Sequence, residues 1–112
     1  MPNRNKQRGY ELERETVVFW ESAGAEVRRV WGSGSFGHAL GDEFEGDIKL
    51  GPYVVEAKRK KSGFKFLYDA LDQGQGSDLL VVRQDRSRRI YILEEETLLD
   101  LFRKAGLLSA DG

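Results

Sequence analysis

Apolar and polar positions along the chain recur with two periods, and the changes from one to the other predict the elements. Over residues 10–23, Leu12, Thr16, Phe19, Trp20 and Ala23 return at helical spacing, and Gly24 stands where a helix stops. Residues 25–31 read as a strand, whereas residues 32–46 are rich in glycine and acid, follow neither period and are expected as a loop. Residues 44–50 and 53–58 are two β-prone runs joined by Gly51-Pro52, the composition of a tight hairpin turn. A second helix is expected over residues 64–72, a breaker-rich Gly74-Gln75-Gly76-Ser77 follows, and residues 78–83 and 89–93 read as two further strands. A last helix over residues 94–105 has Glu94-Glu95-Glu96 at its positive end and Arg103-Lys104 near its negative end, as the helix dipole prefers.

The order α-β-β-β-α-β-β-α is neither a repeat nor a doubly wound sheet. It predicts a mixed α/β fold, with one mixed central sheet flanked by helices. A chain of 112 residues is the size of one domain, so residues 1–112 are expected to fold as a single unit with residues 1–8 as a basic arm. Cysteine is absent, so any metal must be held through oxygen or through His38, the sole histidine. No stretch approaches the roughly 18 apolar residues of a membrane span, and the polar start lacks the apolar core of a signal peptide. The expected protein is soluble and cytoplasmic.

Eighteen basic and 19 acidic residues give a net charge of −1, which argues against a uniformly basic nucleic-acid binder. The distribution changes that picture. Basic residues gather at Arg4-Lys6-Arg8, Arg28-Arg29, Lys58-Arg59-Lys60-Lys61 and Arg83 to Arg89, while Asp42, Glu43, Glu45 and Asp47 crowd one segment.

Candidate chemistry concentrates in the predicted hairpin. Residues two apart in a strand share a face, so Glu56 and Lys58 project together, away from Val55 and Ala57. With Gly51-Pro52 as the two turn residues, Leu50 faces Tyr53 and Asp47 faces Glu56. Directly opposed Cβ atoms lie about 5 Å apart, where two full charges at an effective dielectric near 20 repel by roughly 3 kcal/mol. Ordinary strand packing does not reward such a pair, but a divalent cation removes the repulsion and is suited to carboxylate oxygens. Lys58 adds a compact positive charge beside them. In the bland account, Glu45 pairs with Lys58 and Asp47 with Lys49 on a charge-laced, exposed hairpin.

Gly46-Asp47-Ile48 followed by Val54-Val55-Glu56-Ala57-Lys58 resembles the core motif of PD-(D/E)XK nucleases. Arg8-Gly9-Tyr10-Glu11-Leu12-Glu13-Arg14-Glu15 is similar to the helix-opening motif of archaeal-type Holliday junction resolvases, and the later part of the chain looks like small phage-encoded members. The resemblance covers roughly residues 8–83 and implies a restriction-endonuclease-like core in a bacterial, archaeal or phage-infected cell. It implies Asp47 and Glu56 as ligands of magnesium, or of manganese in its place, with Glu13 and the Ala57 carbonyl completing the set. Glu13, Asp47, Glu56 and Lys58 would be the catalytic group, Lys58 orienting the attacking water. Arg14 and Arg29 would contact phosphates or brace acids, and Arg8, Ser33, Arg59, Lys60 and Lys61 would meet DNA. Gly46 stands where the family usually has proline, and the hairpin is shorter than in many resolvases.

The implied activity is phosphodiester hydrolysis in branched DNA by a homodimer, since two strands related by a two-fold axis must be cut. A catalytically silent DNA- or partner-binding module and a nuclease for flaps, nicks or single strands are the competing readings. Gly32-Ser33-Gly34-Ser35-Phe36-Gly37 matches the string G-x-G-x-x-G, but no strand-helix-strand context surrounds it, and a flexible loop is expected instead. Trp20 and Trp31 are expected in the core, His38 as an inert loop residue, and Gln73 as an exposed helix end. The density of Phe64, Phe66, Leu67 and Tyr68 exceeds one helical face, which suggests burial of part of this helix against another subunit.

Overall fold

The computed structural model describes residues 4–30 and 47–109, with side chains over 9–30 and 48–109. Ser33, His38, Trp31 and Glu45 lie outside the described residues. The elements run α1 (Arg4–Ser22), β1 (Val27–Arg29), β2 (Asp47–Leu50), β3 (Tyr53–Glu56), α2 (Lys65–Asp72), β4 (Leu79–Val82), β5 (Ile90–Leu93) and α3 (Glu95–Lys104). They gather into two compact units, the first holding α1 and β1 to β3 with the final residues, the second holding α2, β4, β5 and α3. No described helix is long and apolar enough to cross a membrane.

In the first unit, α1 starts at Arg4, upstream of the apolar periodicity, and so takes in residues expected as an arm. It ends where the sequence predicts. Gly24 adopts φ 94°, its N–H donates to the Glu21 carbonyl, and the Ala25 N–H reaches back to the Trp20 carbonyl at 2.9 Å. This pair of bonds is the Schellman arrangement, for which a residue without Cβ at the left-handed position is least strained. The chain then turns into β1, and α1 packs against β1 and β2. Trp20, Ile48 and Leu50 are buried, each contributing about 2–3 kcal/mol by removal from water, and Trp20 meets Phe19 edge-on at 5.3 Å.

Strands β1, β2 and β3 form an antiparallel sheet in that order. In the β2–β3 hairpin, Leu50 pairs with Tyr53 and Asp47 with Glu56, as the turn composition predicts. Gly51 has φ 57°. Because the Pro52 ring excludes a positive φ at the next position, this is the II′ hairpin turn, which takes glycine first.

In the second unit, β4 and β5 form an antiparallel pair, Leu79 opposite Leu93 and Val82 opposite Ile90. Leu71 of α2 and Phe102 of α3 are buried. Phe66 and Tyr68 remain exposed on α2, and Gln73 is its exposed C-cap. α3 carries Glu95 and Glu96 in its first turn and Arg103 and Lys104 in its last.

The fold is thus mixed α/β, with three helices and two small antiparallel sheets among the described residues. The single mixed sheet expected from the element order is not formed among them. Antiparallel neighbours need only the short connections this chain supplies within each hairpin, whereas a parallel neighbour needs a longer crossover.

Candidate metal and phosphate site

All three strands of the first sheet terminate at one end, with Arg29 the last residue of β1, Asp47 the first of β2 and Glu56 the last of β3. The pairing Asp47–Glu56 is the closing rung. Arg29 pairs with Ile48 and Ile48 with Val55, one rung further in. The expected acidic positions therefore meet at a sheet end, on the last rung of the described ladder.

Beyond β3 the chain leaves the ladder, so Lys58 lies two residues past the strand instead of within it. Its Nζ is 3.5 Å from Glu56 Oε1, with both side chains exposed to solvent. Lys49 donates through Nζ to the Pro52 carbonyl at 3.2 Å, while Glu45 and the Asp47 side chain, the acids of the bland account, lie outside the described side chains. Ala57 lies between Glu56 and Lys58, partly buried.

Glu13 is only 2 % exposed, more deeply placed than a position at the edge of an apolar stripe implies. Seven residues, or two turns, separate it from Trp20, so both face inward. A carboxylate removed from water costs several kcal/mol unless it is paired. Arg29 supplies the pairing, its Nε donating to Glu13 Oε1, while its guanidinium carbon lies 5.8 Å from the centre of the Tyr10 ring. Bracing of an acid, one of the two roles the resemblance implies for Arg29, is the one with a contact. Glu13 Oε2 is buried with no hydrogen-bond partner among the described residues.

Strand alternation separates these groups into two faces. Arg29, Ile48 and Val55 share the face covered by α1, and Glu56, next to Val55, belongs to the other. Glu13 and Glu56 thus approach the same sheet end from opposite faces. Among the described side chains, no three His, Asp or Glu groups form a cluster able to hold one metal ion.

The remaining positions implied to meet DNA are distributed differently. Arg14, Lys60 and Lys61 are exposed. Arg59 donates through Nη1 to Glu11 Oε2 at 2.8 Å, tying the segment after β3 to α1. Nothing in the sequence announces that contact, because the partners are 48 positions apart and each sits in a run of several like residues. Arg8 falls within α1.

Comparison with protein-family models, curated proteins and solved structures finds no match.

Carboxylate oxygens at the opposed positions 47 and 56 are the donor type that hard divalent cations take, whereas the buried Glu13 carboxylate lies on the other face.

Proposed function

We propose that this chain is a divalent-cation-dependent DNA endonuclease with a PD-(D/E)XK-type reacting end, built on Asp47, Glu56 and Lys58. The observation that carries the reading is the closing rung: Asp47 stands opposite Glu56, and the Lys58 ammonium lies 3.5 Å from the Glu56 carboxylate. Like charges on one rung destabilise a hairpin, and the Glu56 and Lys58 side chains beside that rung are exposed to solvent.

Asp47 and Glu56 would hold magnesium or manganese, with the Ala57 carbonyl beside them. The resemblance adds Glu13 as a further ligand, although its carboxylate is buried against Arg29 on the opposite face of the sheet from Glu56. When bound, the cation supplies neutralisation of charge growing on the phosphate and acidifies the attacking water. Lys58 holds that water and faces the scissile phosphate as a second positive charge. The water oxygen bonds to phosphorus, the bond from phosphorus to the 3′-oxygen opens, and a 5′-phosphate and a 3′-hydroxyl remain. By resemblance, the substrate is branched DNA of the four-way junction kind and the acting form is a homodimer; a restriction-endonuclease-like core is part of the same reading.

The test is cleavage of labelled four-way junction, fork, nicked and linear duplex, with and without magnesium or manganese, by the native chain, Asp47→Asn and Lys58→Met. Cation-dependent cutting that falls by roughly a hundredfold or more in either variant is expected. Cleavage that persists in Asp47→Asn, or DNA binding without cleavage of any substrate under either cation, overturns the endonuclease.

A further inference from the structure

The second unit carries a basic hairpin end that the proposed reacting group does not use. Between β4 and β5 the chain reads Arg83-Gln84-Asp85-Arg86-Ser87-Arg88-Arg89, four guanidinium groups against one carboxylate in a protein whose net charge is −1. All four arginines are exposed. Among the described residues, none of them takes part in an ion pair.

Arg83 and Arg89 flank the last rung of the pair, Val82 opposite Ile90. Neighbouring strands run about 4.8 Å apart, so two like-charged residues leave adjacent strands at neighbouring backbone positions. At the tip, the Ser87 N–H donates to the Gln84 carbonyl at 2.9 Å, which makes Arg86 the third residue of a β-turn, and Arg86 adopts φ 65°. Glycine or asparagine takes that conformation with little strain. An arginine there costs stability while presenting a long cationic side chain at the apex. A polyanion uses both the neighbouring charges and the apical one.

An aromatic group stands beside the charge. Tyr91 is 61 % exposed and pairs with Val81, two rungs from Leu79 opposite Leu93. Alternation puts Leu79, Val81 and Tyr91 on one face, and each is exposed, whereas Leu80, Val82 and Ile92 are partly buried. A flat ring two residues from Arg89, on an open sheet face, offers a base something to stack on, while the guanidinium groups meet phosphates.

We infer that the β4–β5 hairpin is a second nucleic-acid contact surface, in which Arg83, Arg86, Arg88 and Arg89 bind the sugar-phosphate backbone and Tyr91 stacks under an unpaired base. It rests on the DNA reading above and adds a preference for strands whose bases are unstacked, such as those at a branch point.

The test is fluorescence anisotropy of a labelled single strand and its duplex, in EDTA so that cleavage does not intervene, across a salt series. The variants are Arg86→Gly, Tyr91→Ala and the combined Arg83→Gln/Arg86→Gln/Arg88→Gln/Arg89→Gln, each checked for native thermal unfolding. The combined variant should lower the slope of log affinity against log salt by about 3, and Arg86→Gly by about 1. Arg86→Gly should melt above the native chain, so its weaker binding reports lost charge and not lost fold. Tyr91→Ala should weaken the single strand about tenfold and the duplex less.

An unchanged slope in the combined variant, with native DNA binding intact, overturns this surface and leaves the endonuclease standing. Poly-glutamate that displaces DNA as well as competing DNA does also overturns it, because it shows a general polyanion patch. No DNA binding by the native chain overturns both readings.

Discussion

Arg29 donates to one oxygen of the buried Glu13 carboxylate, and the other oxygen of that carboxylate has no hydrogen-bond partner among the described residues. The pair joins α1 to β1 at the sheet end where the closing rung lies. Removing only the arginine leaves a buried charge uncompensated, which costs about 3 kcal/mol. Arg29→Met is therefore expected to lower stability by about that amount in urea unfolding, and Glu13→Gln/Arg29→Met by less than the sum of the single changes. Magnesium should restore part of the loss in Arg29→Met if the second oxygen is a ligand. Additive single effects would show that the two residues are not energetically coupled.

Opposed acids at positions 47 and 56 predict stability changes of opposite sign with and without a cation. In EDTA, Glu56→Gln removes repulsion, but Glu56 is about half exposed, so solvent screening holds the gain below about 1 kcal/mol. With magnesium a hundredfold above its Kd, the native chain should gain about 2.7 kcal/mol, and Glu56→Gln and Asp47→Asn should lose most of that gain. Differential scanning fluorimetry with and without magnesium reads both signs. A magnesium response equal in native and variant chains places the cation elsewhere.

The turn that brings those acids together depends on one backbone angle. Gly51 has φ 57°, a region in which an added Cβ costs about 1–2 kcal/mol. Gly51→Val should destabilise the chain by roughly that amount, and the magnesium-induced rise in melting temperature should shrink with it, because the register of the closing rung is carried by this turn. Gly51→Ala should lose stability as well, since the first position of a II′ turn takes glycine. A full magnesium response in a destabilised Gly51→Val chain would separate the turn from the site.

Local chemistry is what made much of this fold legible. Gly24 after a helical stripe, Gly51-Pro52 between β-prone runs and the charged ends of α3 each act within a few residues, and the observed elements follow them closely. The start of α1 was not legible, because residues 4–9 hold no apolar stripe and include Gly9. Sheet membership was also hidden, since strand alternation fixes faces and says nothing of which hairpins join. Within the site, the Asp47–Glu56 register follows from turn length alone, whereas the depth of Glu13 and its pairing with Arg29 depend on how α1 packs on the strands. The contact between Arg59 and Glu11 is longer in range still and has no local signature.

The last consequence concerns acid stability at the start of α3. Burial, and then the neighbouring charge of Glu96, push the Glu95 carboxyl above the ordinary glutamate range, although the helix dipole at this end favours negative charge. A folded-state pKa above the unfolded value means that the folded chain binds this proton more tightly, so the Glu95 contribution to stability rises as pH falls through the carboxylate range and is least favourable at neutral pH. Glu95→Gln is therefore expected to melt slightly above the native chain at neutral pH, with the difference shrinking as the medium is acidified and the native carboxyl, raised above the ordinary glutamate range, takes up its proton. Thermal unfolding of both chains over that acidification reads the trend. A Glu95→Gln chain less stable than native at neutral pH would show that the dipole outweighs burial and the Glu96 charge at this helix end.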